Sequence, residues 1–439
     1  MGPEIAFAHD PARSCNSGAF RISSAVPTPA AMTRLPSSLK PVLVGLILTL
    51  AQIATAVCLL APPGPFSYRY ATLIQHDGYW FMNIVNRGYG TTVPPIDHKV
   101  MEVSNVGFFP AYPALASILE RGLNVETTTA LLLVSQAAAW AFWSYFFLFC
   151  ERWNLSPALR LFGAMSIFAH PAAFYLIAGY SESLFLMGLV GFIYWSGAEG
   201  RGAKFWAALH GVVMSGTRIA GVICAACPVV TKVFREGWNG LRDWRGWPHR
   251  YLSAIGLTMA AASGAILFFV FCQVRWGHWN MYMLTQSAGW AITPDYLAIF
   301  KPSSYRWLFP ALNDPTEMSQ MAMTIGGLMF VVIALCEFLP VVRRNSTFAT
   351  RAGIYFCAIA IYYISVSGVA CVQMESMLRY SFCAYTLIVL AFLHLLSRIR
   401  IPSALVRALG MGTMALISAI GFGVQGWYVW NFTRGNWVA

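Results

Sequence analysis

The sequence predicts an all-α polytopic membrane protein, and three observations carry that prediction. Of 439 residues, 58% are hydrophobic and only 10% are charged, against about 25% charged in soluble domains. The apolar residues form long continuous runs separated by short charged loops, as membrane-spanning helices require; a β-barrel would show short alternating segments. The formal charge of +12 gathers in alternate loops, which is the positive-inside pattern rather than a nucleic-acid-binding stripe.

Residues 1–38 are polar and rich in Pro, Ser and Ala, with no signal-peptide pattern. They are expected to form a disordered tail, with Met32 a second candidate start, ahead of a membrane domain over 39–439. The first span is predicted at 41–61, closed by Pro62-Pro63. A polar and aromatic segment follows, to about 107. Residues 108–122 are apolar but short, carry Pro110 and Pro113 and end in Glu120-Arg121, which predicts a helix lying in the membrane interface.

Further spans are predicted at 127–149, 158–178 and 182–198. The run 203–234 is too long for one helix and is interrupted by Thr217-Arg218, so it reads as two short helices meeting at that arginine. The remaining spans are 251–274, 318–341, 352–372, 379–397 and 405–428, for a total of about eleven transmembrane helices. With the N-terminus inside, the inner loops hold Arg152, Arg160, Arg201, Lys204, Arg343 and Arg398 among others, while 62–126 and 275–317 hold few basic residues for their length. Asp77, Arg87, Asn105, Glu182, Arg218 and Arg379 then share the outer face. The ten cysteines sit mostly in apolar runs without zinc or redox spacing and read as small apolar side chains.

The chemistry-bearing stretch is Gln75-His76-Asp77-Gly78-Tyr79-Trp80-Phe81, followed by Asn86-Arg87-Gly88-Tyr89 and Asn105-Val106-Gly107-Phe108-Phe109-Pro110-Ala111-Tyr112-Pro113. It sets a carboxylate among aromatics just beyond the first hydrophobic helix. Aromatic rings stack on the apolar faces of sugars, and a carboxylate can take a hydroxyl proton. An Asp before Gly also caps ordinary turns. Glu182 lies in the very short link Tyr180-Ser181-Glu182-Ser183 at the membrane edge. There it serves either as helix N-terminal chemistry or as a functional group with a partner. Arg218 is either a snorkelling side chain or a phosphate-holding cation. Arg379 opens a predicted helix, where a cation is disfavoured, so an anionic partner is expected: Glu375, or a substrate phosphate. His76 could join Asp77 on a metal, but two adjacent ligands without a third make a poor site. There is no Asp-x-Asp near the site, so no tightly bound ion or other cofactor is expected; Asp77 with Asp97 or Glu102 would gather a divalent cation only loosely.

The ordered set of motifs resembles the integral-membrane GT-C glycosyltransferases and, within them, the family of GPI mannosyltransferase 2 and its prokaryotic relatives. The first-loop elements are continued by Tyr180 to Phe185, by Thr217-Arg218-Ile219-Ala220-Gly221 and by Ser376-Met377-Leu378-Arg379-Tyr380, in order from about 75 to 439, with Trp437-Val438-Ala439 at the end. Two positions depart from the family: His76 stands where Trp is usual, and Ile219 where Pro usually follows the arginine. The resemblance implies a GT-C-like fold and a polyprenyl-phosphate sugar donor, typically dolichyl-phosphate mannose in eukaryotes. It implies inverting transfer to a lipid-linked or polymer acceptor. The site would face outward across a bacterial plasma membrane, or the lumen of an ER membrane.

On this reading Asp77 is the general base, with Glu182 a second catalytic candidate. His76, Trp80, Arg87, Asn105, Phe109, Tyr112, Arg218, Arg379 and Tyr380 contact substrate, the two arginines stabilising the phosphate leaving group. Partners are the lipid donor, the acceptor and membrane lipids, with no nucleic acid. The rival class is a transporter or lipid-linked-sugar flippase, which would share the helix count but should show two repeated halves with paired broken helices; only the break at 203–234 is visible. An inactive scaffold is a third class. It would tolerate loss of Asp77.

Overall fold

A computed structural model describes residues 39–90, 104–242, 246–311, 313–343, 347–399 and 404–438. The expected tail at 1–38 and the candidate metal ligands Asp97 and Glu102 lie outside the described residues. Among the described residues every regular element is helical.

Helix α1 (Leu39–Ala54) passes without a break into a π-helical turn over Thr55–Leu60. The polar-aromatic segment then contains two helices that its hydrophobicity hides, α2 (Phe66–Ala71) and α3 (Asp77–Arg87). The short apolar stretch forms α4 (Ala111–Leu123), ended by Asn124 in the left-handed conformation. It is followed by α5 (Thr127–Arg152) and α6 (Pro157–Phe168). The predicted span 158–178 does not run through. Helix α6 stops at Phe168 because His170 precedes a proline and is extended, with ψ 134°, and the chain continues as a 3-10 turn over Pro171–Leu176.

Helix α7 (Glu182–Ser196) is short. The expected interruption of 203–234 occurs where it was read: α8 (Arg201–Thr217) ends at Arg218, which is extended at φ −151°, ψ 147°, and α9 (Ala220–Cys224) follows. A second break at Ala225-Ala226 precedes α10 (Cys227–Arg242). Then come α11 (Trp247–Trp276), α12 (Met281–Trp290), α13 (Pro315–Glu337), α14 (Pro340–Arg343), α15 (Phe348–Val369), α16 (Met377–Leu396) and α17 (Ala404–Phe432).

Six helices among the described residues are long and apolar enough to cross a membrane: Leu39–Leu60, Thr127–Arg152, His249–Trp276, Pro315–Glu337, Phe348–Val372 and Met377–Leu396; α6 and α7 are apolar but shorter. The protein is therefore a multi-pass helical membrane protein. Among the described residues, proline and polar breaks divide the expected runs 158–178 and 203–234 into shorter helices. Helix α16 is the central one, with 83% of its apolar window buried, and it packs on α15, α13 and α6. On the other side α7, α8 and α11 pack closely through small residues. A Cβ at Gly211 would lie 2.3 Å from that of Ala261, and one at Gly264 would lie 2.2 Å from the Val212 carbonyl. Membrane helices approach through such small positions because packing, not water exclusion, holds them together.

Candidate functional site

Three helix starts and one helix break bring four charges together. Asp77 is the first residue of α3, and Glu182 the first of α7. Both carboxylates stand where a helix dipole favours negative charge. Arg379 is in the first turn of α16, and Arg218 is the extended residue between α8 and α9. The two acidic loops are tied together by the Gly179 N–H, which donates to the Leu73 carbonyl at 3.0 Å. The two loops approach closely, since a Cβ at residue 179 would lie 2.1 Å from Ile74 Cδ1 and push that side chain aside.

The charges form a chain. Arg379 Nη1 donates to Asp77 Oδ2 at 2.6 Å, Arg379 Nε lies 3.5 Å from Glu182 Oε1, and Arg218 Nη1 donates to that same oxygen at 3.0 Å. The Arg379–Glu182 contact is an ion pair without hydrogen-bond geometry. Arg379 Nη2 also donates to the Tyr380 hydroxyl at 3.0 Å. The Tyr380 ring lies beneath both guanidinium groups, 4.8 Å from Arg379 and 5.2 Å from Arg218, a cation–π arrangement. Glu182 is only 1% exposed. Burial of that kind is tolerated only because a cation flanks it on each side.

The chain borders a cavity of about 680 Å³ lined by Asp77, Glu182, Arg218, Tyr380, Phe108, Phe109, Tyr282 and Ser367 among others. Its walls are mostly aromatic and aliphatic, and Asp77, Glu182 and Arg218 are the charged residues that line it. Asp77 Oδ1 makes no hydrogen bond among the described residues, nor does Glu182 Oε2, Arg379 Nε or the Tyr180 hydroxyl. The arrangement offers a carboxylate oxygen and an arginine with spare donors to one apolar space. It can accept a proton at one point and hold an anion at another.

Asp77, Glu182, Phe109, Arg218 and Tyr380 meet at the cavity as the sequence suggested. Arg379 is 2% exposed and stands behind the wall. Its anionic partners are Asp77 and Glu182, not Glu375, which is exposed.

The other candidates lie away from the cavity lining. Tyr112 is fully buried; its hydroxyl donates to the Leu131 carbonyl at 2.9 Å and sits 2.8 Å from Ser135 Oγ, which itself donates to the Tyr180 carbonyl. It therefore supports the loop that carries Glu182. Asn105 ties its own loop to α3, donating to Asn83 Oδ1 at 2.8 Å and the Gly88 carbonyl at 2.9 Å. Trp80 stacks on Phe108 with ring centres 6.1 Å apart and meets Trp290 at 5.9 Å. Arg87 is exposed at the end of α3. His76 faces residues 436 and 437.

The substitution of Ile219 for proline does not remove the break. Gly221 N donates to the Arg218 carbonyl at 2.9 Å, and a Cβ at Gly221 would strike the Met214 carbonyl at 2.6 Å, so the chain turns there without proline. Sequence reasoning missed Tyr282 and Gln286, which reach the cavity from α12; the aromatic richness of 275–317 was the available signal. Gln286 Nε2 donates to the Gly107 carbonyl at 2.9 Å and so fixes the Phe108-Phe109 wall. Among the described residues no group of three or more His, Cys, Asp or Glu could hold a metal ion.

No family model matches the chain, and no curated protein matches it. Among solved structures, the crystal structure of the Archaeoglobus fulgidus oligosaccharyltransferase in the apo form is similar, with a TM-score of 0.45 and 14% identity over 92% of this chain. The chain spans 56% of the length of that protein.

Proposed function

We propose that the protein is a membrane glycosyltransferase of GT-C type that moves a sugar, mannose on the motif resemblance, from a polyprenyl-phosphate donor to a hydroxyl of a lipid-linked or glycan acceptor. The observation that carries the reading is the ion chain Asp77–Arg379–Glu182–Arg218 bordering a mostly apolar cavity. Asp77 is the general base. Arg379 holds Oδ2 at 2.6 Å, which leaves Oδ1 to take the proton from the attacking hydroxyl as its oxygen bonds to the anomeric carbon.

The bond from that carbon to the donor phosphate breaks, and the phosphate leaves as an anion. Arg218 is the residue that stabilises it. One of its N–H groups is committed to Glu182, and the rest of its guanidinium fork suits phosphate. Arg379, bonded to Asp77 and Tyr380 and set behind the cavity wall, orients the base rather than the phosphate. Glu182 is the counter-ion that keeps both arginines in place. A lipid monophosphate carries less charge than a nucleotide diphosphate, so the step needs no bridging divalent ion. The donor would enter from the bilayer, with the site on the outer or lumenal face.

The test is product formation in proteoliposomes supplied with a radiolabelled polyprenyl-phosphate sugar and a membrane lipid extract as acceptor source. A new labelled glycosidic product is expected. Label crossing the membrane with no such product would establish the transporter or flippase instead.

A further inference from the structure

We propose that His76 is the positioning residue for Asp77, and that the segment from Phe432 to Val438 is the brace that acts through it; the proposal rests on Asp77 being the base. Gly78 N donates to the Gln75 carbonyl at 2.8 Å, closing a four-residue turn. His76 occupies its second position at φ 45°, ψ −107°. That is close to the position of a type II′ turn at which glycine is strongly preferred. A non-glycine residue held there costs about 1–3 kcal/mol and persists only when its surroundings enforce it. The strained residue is bonded directly to Asp77, so any relaxation of the turn swings the carboxylate off Arg379.

The enforcing contacts come from more than 350 positions away in sequence. His76 Nε2 lies 3.2 Å from the Asn436 carbonyl. A carbonyl only accepts, so this nitrogen carries the proton. The imidazole also meets Trp437 edge-on at 4.9 Å and Phe432 at 6.0 Å. The segment is itself fastened. Thr433 and Val438 are each 2% exposed. Asn436 bonds back to Asn431 through its N–H at 3.2 Å and its Nδ2 at 3.1 Å. Arg434 Nη1 donates to the carbonyls of Leu60 at 3.1 Å and Trp430 at 2.7 Å. The brace thus joins the end of the first span, α17 and the base-bearing turn.

The experiment compares His76→Ala, Trp437→Ala and the double variant with the wild-type full chain in nanodiscs. One readout is hydrogen exchange of the amides from Gln75 to Tyr79. The other is kcat and donor KM with a polyprenyl-phosphate sugar that the wild type turns over. His76→Ala keeps the strained φ and loses only the imidazole contacts, so it isolates the brace, and it should fold even if Trp437→Ala does not. Each single variant should exchange faster over these amides and lose about 10- to 100-fold in kcat, the scale of a small misplacement of a reacting group, with donor KM unchanged. The double should be no worse than the worse single, because both remove one contact. Wild-type exchange or wild-type kcat in His76→Ala, or additive losses in the double, would overturn the brace. Asp77→Asn measured alongside separates the two ideas: full activity there sinks the base assignment, while the exchange readout still reports on the brace.

Discussion

Among the described residues the bundle holds two buried arginine–carboxylate networks, and they are built differently. The first is the Asp77–Arg379–Glu182–Arg218 chain. The second lies at the other end of α15 and α16, about 22 Å along α16 at 1.5 Å per residue. There Arg351, fully buried, grips Glu337 with two parallel bonds of 2.6 and 2.7 Å. The Tyr355 hydroxyl donates to Glu337 at 2.6 Å, and Arg351 Nη1 reaches Thr347 at 2.9 Å and His394 Nδ1 at 3.2 Å. Every charged group of that network is satisfied. Both border cavities, since Glu337, Thr347 and Tyr355 line a second one of about 880 Å³, but it is the first network that leaves buried polar atoms, Glu182 Oε2, Arg379 Nε and Tyr180 OH, without hydrogen bonds. A finished network fixes a structure, whereas an unfinished one beside a cavity leaves capacity for a ligand.

That contrast can be broken or sharpened by cutting each network in turn. The largest effect is expected for Asp77→Asn, which should lower the transfer rate by about 10²–10⁴-fold and cost less stability than a cut in the other network, because Glu182 still faces Arg379. Arg351→Met should do the reverse. It leaves Glu337 uncompensated, for a loss of about 3–5 kcal/mol in an unfolding titration, while transfer per folded molecule holds. Arg218→Gln removes charge-assisted bonds worth about 1.5–3 kcal/mol. It should lower kcat/KM for the donor by about 10- to 100-fold, seen in the donor dependence of the initial rate. Tyr112→Phe should cost only about 1 kcal/mol of stability, since its hydroxyl acts two bonds behind Glu182. The smallest effect is expected from chelator, which should leave the rate at its untreated level; recovery by magnesium or manganese after a chelator-induced loss would contradict this.

The charged members of the site were legible because charge is scarce in this chain. An arginine inside an apolar run, as at Arg218, marks a helix break, and the break occurs at that position, beside the cavity. The partners were not legible. Asp77 and Arg379 are 302 positions apart, and the local candidate Glu375 was the nearer choice in sequence only. Trp80 and Tyr112 read as sugar-stacking aromatics, yet each packs on protein, because aromatic motifs serve loop packing as readily as ligand binding. Helices α3 and α12 are only 11 and 10 residues long and so do not read as spans, and the break at His170-Pro171 is masked by the apolar residues on both sides. The brace on His76 was invisible, since positive φ is a property of the fold and no residue type other than glycine announces it.

The central claim is that the cavity takes its sugar from a lipid phosphate at Asp77. It is tested most directly by incubating purified wild-type and Asp77→Asn protein with matched panels of radiolabelled polyprenyl-phosphate sugars and nucleotide sugars. Transfer from the lipid-phosphate donors alone, abolished in Asp77→Asn, is the predicted result. Transfer from the nucleotide sugars alone, or an undiminished rate in Asp77→Asn, would contradict it.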